Sequence, residues 1–146
     1  MSQPDKATNI NWMLLFLCWL LVSVSTTISL FFSSVLEYEP CVLCWYQRIC
    51  LFPLIFIFAA GLFPAFDKSV IKYALPLTID GGLTALYHTL LYAGIIPENI
   101  QPCSQGVSCT EKYIELFGFI SIPMMSFFAF SILTVLLITL KRRTSK

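Results

Sequence analysis

An all-α membrane protein, built as a four-helix transmembrane bundle with both termini cytoplasmic, is the fold class this sequence predicts. Composition is the first reason: of 146 residues, 58% are hydrophobic and only 12% charged, against about 25% charged in a typical soluble domain. The second is the gathering of apolar residues into four stretches, near 13–36, 45–66, 70–94 and 122–140. Each approaches the roughly 17 to 25 residues that carry a helix across a hydrocarbon core. The third is charge placement. Lys6, Lys68, Lys72, Lys141, Arg142, Arg143 and Lys146 fall on one side of such an arrangement, and only Arg48 and Lys112 on the other, which marks the first side as cytoplasmic. A single membrane domain over residues 1–146 is expected, with outer loops 37–44 and 95–121. A net charge of +1 gives no sign of a nucleic-acid surface.

The first stretch could pass for a leader, since Lys6 precedes it. Its apolar part is longer than the usual 7 to 15 residues or so, it lacks a small-residue cleavage site, and three more spans follow, so a retained helix is expected. Within it "SVSTTIS", Ser23 to Ser29, supplies small hydroxyl residues of the kind that let membrane helices approach closely. The outer loop then carries "EPCVLCWYQR", residues 39–48. Pro40 disfavours a helical Glu39 and suits a first turn itself, so the second helix is expected to start at Pro40 or Cys41. The connection at Asp67 and Lys68 is short enough to make the second and third helices antiparallel neighbours. The third contains Asp80 in "TIDGG", near mid-membrane, where an ionisable group is a functional suspect, though it can instead be protonated or paired with a hydroxyl of the first span. Past the second outer loop, "EKYIELFGF" at 111–119 has the mixed character of a segment lying on the membrane surface. Ser121 ahead of Ile122 and Pro123 then reads as the start of the fourth helix.

Six cysteines remain. Cys18 and Cys50 fall inside spans and read as small buried hydrophobes. Cys41, Cys44, Cys103 and Cys109 fall in the outer loops, where disulfides form and persist. At a helix start Cys41 and Cys44 share a face, and unpaired backbone N–H groups there stabilise a thiolate, as does a nearby guanidinium. Arg48 is four residues past Cys44, which makes Cys44 the thiol expected to ionise most easily. An inert structural disulfide is the alternative, but a bridge closing so short a loop removes little unfolded-chain entropy. Zinc is another, since two outer pairs make four ligands, yet CxxC and CxxxxxC with no histidine nearby match a zinc site only loosely. In "QPCSQGVSCTEKY" five residues separate Cys103 from Cys109, a closed loop that can be presented to a soluble protein thiol for exchange through a mixed disulfide.

Two exchangeable pairs on one membrane face suggest a relay, and a relay needs a two-electron acceptor. The sequence has no haem ligand pair, iron–sulfur cysteine cluster or dinucleotide glycine fingerprint. A lipid-soluble quinone needs only an apolar groove and a few polar groups at headgroup depth. Arg48 lies about 6 Å below Cys44 at 1.5 Å per residue, and His88, in "LYHTLL", about 9 Å below the outer end of its helix. Both are candidates. The bland alternatives are a snorkelling anchor beside Trp45 and Tyr46 for Arg48, and a helix-bridging hydrogen bond for His88.

With four spans, "PCVLCWYQR" at the first outer loop, "YHT" late in the third helix and a second cysteine pair ahead of "FGFISIP", the chain resembles the DsbB family. These are disulfide-bond formation proteins, quinone-linked thiol oxidoreductases of the bacterial inner (cytoplasmic) membrane. Its short second loop is most similar to the compact BdbC-like variety. The resemblance implies that Cys41 and Cys44 are the membrane-proximal redox pair, with Cys44 facing a ubiquinone or menaquinone, Arg48 supporting it and His88 near the quinone. It implies that Cys103 is attacked by a thioredoxin-like extracytoplasmic partner of DsbA or BdbD type, and that Cys109, its mate, exchanges with Cys41. In longer members a surface helix separates the second pair, so the five-residue spacing here departs from their pattern. Two rival readings are a quinone reductase like vitamin K epoxide reductase, where the loop pair precedes the CxxC, and a non-catalytic membrane subunit with structural disulfides.

Overall fold

The computed structural model describes residues 5–37, 39–100, 115–116 and 120–145. Four helices dominate: α1 (Asp5–Ser34), α2 (Val42–Leu62), α3 (Ser69–Tyr92) and α4 (Ile122–Thr144). A single turn of 3-10 helix at Glu98–Ile100 follows α3. Ahead of α4, β1 (Glu115–Leu116) pairs antiparallel with β2 (Ile120–Ser121), with Glu115 opposite Ser121. The all-α bundle expected from the apolar stretches is therefore observed.

Local chemistry explains the helix ends. Pro40 stays outside α2, and Cys41, extended at φ −66 and ψ 168, is its N-cap. At the end of α3, Gly94 takes a φ of +74, the left-handed conformation that glycine adopts without strain. Its N–H reaches Leu91 O at 3.1 Å and that of Ile95 reaches Leu90 O at 3.2 Å, the paired bonds of a Schellman stop. Ser121 occupies the N-cap position of α4 on extended backbone, without a side-chain capping bond, and Pro123 sits in the first turn, where its missing N–H loses no bond. Lys141, Arg142 and Arg143 close α4, complementing the negative end of its dipole.

The principal contacts run in a ring, α1 with α2, α2 with α3, α3 with α4 and α4 back to α1. Trp12 Nε1 donates to Leu62 O at 3.4 Å and Arg143 Nε to Asn11 Oδ1 at 3.4 Å. The start of α1 thus meets the ends of α2 and α4, and the order is up-down-up-down. Leu15, Cys18 and Val22 of α1, Leu54 and Phe58 of α2, Ala74 and Ala85 of α3, and Leu133 and Leu137 of α4 are fully buried between the helices. Cys18 is the core hydrophobe the sequence implies, and Cys50 packs half-buried against that core. Small residues set the spacing: a Cβ on Gly61 would fall 2.6 Å from Val70 Cγ2, and one on Gly81 would overlap the Phe130 ring.

Lys6–Ser34, Val42–Leu62 and Ile122–Thr144 are long and apolar enough to cross a membrane. Large hydrophobes such as Phe31, Phe56, Leu83, Phe128 and Val135 are exposed on the outside of the bundle, as a lipid-facing surface requires. Among the described helices α3 differs in carrying Lys72, Asp80 and His88. Its 24 residues make it long enough to span, about 36 Å at 1.5 Å per residue. Asp80 is exposed, on a helix whose principal neighbours are α2 and α4. The pairing with a hydroxyl of the first span that the sequence left open therefore has no support. The surface segment read at 111–119 lies largely outside the described residues.

Candidate active site

The end of α2 opposite Leu62 carries the thiols. Because Cys41 is the N-cap, its Sγ faces the first turn and accepts the backbone N–H of Cys44 at 3.4 Å. The Cys44 Sγ lies 2.9 Å from it. Closing that gap to the disulfide length of about 2.0 Å takes less than an ångström of movement. Cys41 is buried and Cys44 half-buried, and a small apolar cluster with Leu43 and Leu91 backs Cys41.

His88, one turn before the end of α3, completes this arrangement from the neighbouring helix. Its Nε2 lies 3.8 Å from Cys41 Sγ, and its Nδ1 lies 3.3 Å from Gln47 Nε2. With the Gln47 amide in this orientation its N–H donates and Nδ1 accepts, the arrangement that goes with a ring proton on Nε2, toward the sulfur. The anion-supporting contacts consequently gather on Cys41, not on Cys44 as the spacing to Arg48 suggested. The hydrogen bond from the Cys44 thiol, with a smaller contribution from His88, holds the Cys41 thiol well below the usual thiol range against the opposing pull of burial.

Arg48 is buried too, but it turns toward α1. Its Nε donates to Ser29 Oγ at 2.9 Å, and its Nη2 to Ser29 O at 2.8 Å and Ser33 Oγ at 3.1 Å. The guanidinium carbon stands 5.5 Å from the Trp45 ring centroid, within cation–π range. A cation held by three bonds to a neighbouring helix is a fixed part of the protein rather than a snorkelling anchor. Helical spacing put it on the face of Cys44; the hydroxyls of α1 decide where its head goes.

All four helices enclose a cavity of about 280 Å³ at this end. Cys41, Cys44, Gln47 and Arg48 line it from α2 and its cap, Ser29 and Phe32 from α1, His88 and Tyr92 from α3, and Pro123, Met125 and Phe130 from α4. Four of the six expected site residues, Cys41, Cys44, Arg48 and His88, therefore share one cavity. Cys103 and Cys109 lie outside the described residues. Reading the sequence missed Gln47, Ser29 and Ser33. An amide beside an arginine within an apolar helix was the available signal for Gln47, because an unpaired amide there is costly.

A family model described as "Disulfide bond formation protein DsbB" matches residues 9–140. The chain is 46% identical to a "Probable disulfide formation protein" of Metapseudomonas resinovorans, covering 98% of this chain and 97% of the relative. It is 42% identical to "Probable disulfide formation protein C 2" of Bacillus cereus, over 89% of this chain and 92% of the relative. With "Disulfide bond formation protein C" of Bacillus subtilis it shares 36% identity over 90% of this chain and 95% of the relative. No solved structure matches the chain.

Proposed function

The chain belongs to the DsbB family of disulfide bond formation proteins, a multi-pass protein of the bacterial membrane. From that premise we propose that it is a thiol:quinone oxidoreductase that reoxidises a thioredoxin-like extracytoplasmic dithiol oxidase and passes the electrons to a membrane quinone. One observation carries the reading: two thiols 2.9 Å apart, a buried guanidinium and an imidazole share one cavity between helices. The donor set suits a quinone head. Phe32, Met125 and Phe130 offer apolar walls for a ring. The bonds of Arg48 to α1 use Nε and Nη2, which leaves Nη1 of its five-donor fork for a carbonyl oxygen.

The cycle balances as follows. A thiolate of the reduced partner attacks Cys103 of a Cys103–Cys109 disulfide, and the partner's second thiol resolves the mixed disulfide, leaving the partner oxidised and the loop pair reduced. Cys109 then attacks Cys41 of a Cys41–Cys44 disulfide, and Cys103 displaces it, which restores the loop disulfide and reduces the α2 pair. A bound quinone supplies an acceptor for two electrons and two protons, and Cys41 and Cys44 give them up as their disulfide re-forms. His88 stabilises the charge on Cys41 through its Nε2 proton, and Gln47 keeps that proton on the correct nitrogen. Arg48 fixes positive charge at the cavity wall. On this reading the termini are cytoplasmic and the cavity end faces outward, as the lysine and arginine bias implies.

The test is to mix the purified protein with a reduced DsbA-like substrate and a quinone, and to follow thiol loss and quinol formation together. One quinol per two thiols is expected. Thiols lost without quinol, or normal turnover by Cys44→Ser, would defeat the proposal.

A further inference from the structure

The sequence set metal binding aside because no histidine lies near the cysteines along the chain. The fold supplies one. Cys41 Sγ, Cys44 Sγ and a His88 ring nitrogen all lie within 4.8 Å of one another, although α2 and α3 contribute them from positions far apart in sequence. We propose that the reduced thiol pair and His88 form a site for one zinc ion, and that occupancy takes both thiols out of redox exchange.

Zinc bound by thiolate and imidazole has Zn–S near 2.3 Å and Zn–N near 2.0 to 2.1 Å. Around a tetrahedral ion those lengths place the two sulfurs about 3.8 Å apart and each sulfur about 3.5 Å from the nitrogen. The present separations are 2.9 Å between sulfurs and 3.8 Å from Cys41 Sγ to Nε2. Parting the thiols by about an ångström and drawing the imidazole toward both sulfurs, neither of which lies more than 4.8 Å from it, reaches the ligand geometry. A disulfide needs a movement of similar size in the opposite sense. The adjoining cavity has room for a water as fourth ligand, the open arrangement of a three-ligand zinc site. Gln47 is already at His88 Nδ1. With its amide turned to present Oε1 it accepts the Nδ1 proton, as outer-shell partners of ligating histidines do.

Binding is charge-balanced and involves no electron transfer. Two thiols lose their protons to solvent, two thiolates and a dication sum to zero, and zinc has no redox chemistry of its own. While both sulfurs are bound to the ion they cannot join each other or attack a disulfide. A hard cation such as magnesium or calcium is excluded by the donor set, which offers no oxygen. That the site opens and closes with the catalytic cycle rests on the proposed function; that the reduced pair binds zinc does not.

The full-length protein, with Cys103→Ser and Cys109→Ser removing the loop thiols, is reduced, freed of reductant without oxygen and titrated with Co²⁺ as a spectroscopic probe. The expected result is one equivalent bound, with the visible bands of tetrahedral thiolate-ligated cobalt, displaced by Zn²⁺ and absent after the same sample is oxidised. Gln47→Leu should keep the bands and weaken affinity about tenfold, and His88→Ala should lose them. Bands absent from the reduced protein, or unchanged by oxidation or by His88→Ala, overturn the proposal. Comparing two oxidation states of one chain separates this outcome from misfolding. Quinone reduction is assayed separately on the intact chain, so cobalt binding without quinol formation counts against the proposed function alone.

Discussion

Where α1 begins and α4 finishes, side chains fill the space between helices: Gly61 lets Val70 and Leu15 close in, and Phe58, Leu137 and Leu140 are fully buried. At the opposite end the same four helices part around a cavity of about 280 Å³ walled by thiols, an imidazole and a guanidinium. Burying polar groups is costly unless they are paired, and here they pair with one another: Arg48 with Ser29 and Ser33, His88 with Gln47 and Cys41. The filled end is built for stability. The open end gives up packing to hold the thiols, imidazole and guanidinium around a cavity, so stability and turnover should separate by position along the bundle.

The largest expected effect breaks the open end alone. Cys44→Ser should lower turnover by more than about a thousandfold while the thermal midpoint in detergent stays close to that of the reduced wild type. The mirror experiment is Phe58→Ala, which should cost about 3 to 5 kcal/mol of stability and leave turnover per folded molecule within about twofold. Arg48→Met blurs the division, since it takes the arginine donors from Ser29 Oγ and Ser29 O: kcat/KM for the quinone should fall about a hundredfold, and denaturant titration should show a loss of about 1 to 3 kcal/mol. Gly61→Ala forces a methyl against Val70 and should lower stability by about 1 to 3 kcal/mol without altering KM.

The smallest effect lies in the α2–α3 turn. Ser69 N donates to Asp67 Oδ1 at 2.9 Å, and that bond holds the exposed carboxyl below its usual range. Its stabilisation is complete above the ordinary carboxylate value of about 3.9 and is lost as pH falls through the lower folded value. Thermal midpoints of wild type and Asp67→Ala should therefore converge on acidification, and a gap that widened instead would contradict this account.

Cys41 and Cys44 are legible in sequence because proline and helix caps act within a few residues. His88 and Arg48 are half legible: the rise per residue gives their depth, but not the direction in which each side chain turns. Arg48 reaches α1 because "SVSTTIS" ends in a hydroxyl at the correct height, although those residues read only as aids to close packing. Gln47 is invisible to spacing because its role depends on a ring from α3. The zinc ligand set fails for the same reason, since His88 is adjacent to Cys41 only in space. Asp80 shows the reverse: an ionisable residue halfway along an apolar helix invites a role inside the bundle, and rotation about the α3 axis puts it outside.

Arg48 enters the membrane on α2, yet the oxygens that receive it, from Ser29 and Ser33, belong to α1. Ribosomal synthesis makes α1 first, so the acceptors are in the bilayer before the cation arrives. An arginine inserted alone at a helix centre meets a cost of about 2.5 to 3.5 kcal/mol on the translocon scale, and Arg48, within the first two turns of α2, meets a smaller one; inserted beside waiting hydroxyls it is met by hydrogen bonds as it enters. A circularly permuted chain in which α2 emerged first would end with the same contacts but send its arginine in unaccompanied, so the order of translation is itself part of how this protein assembles.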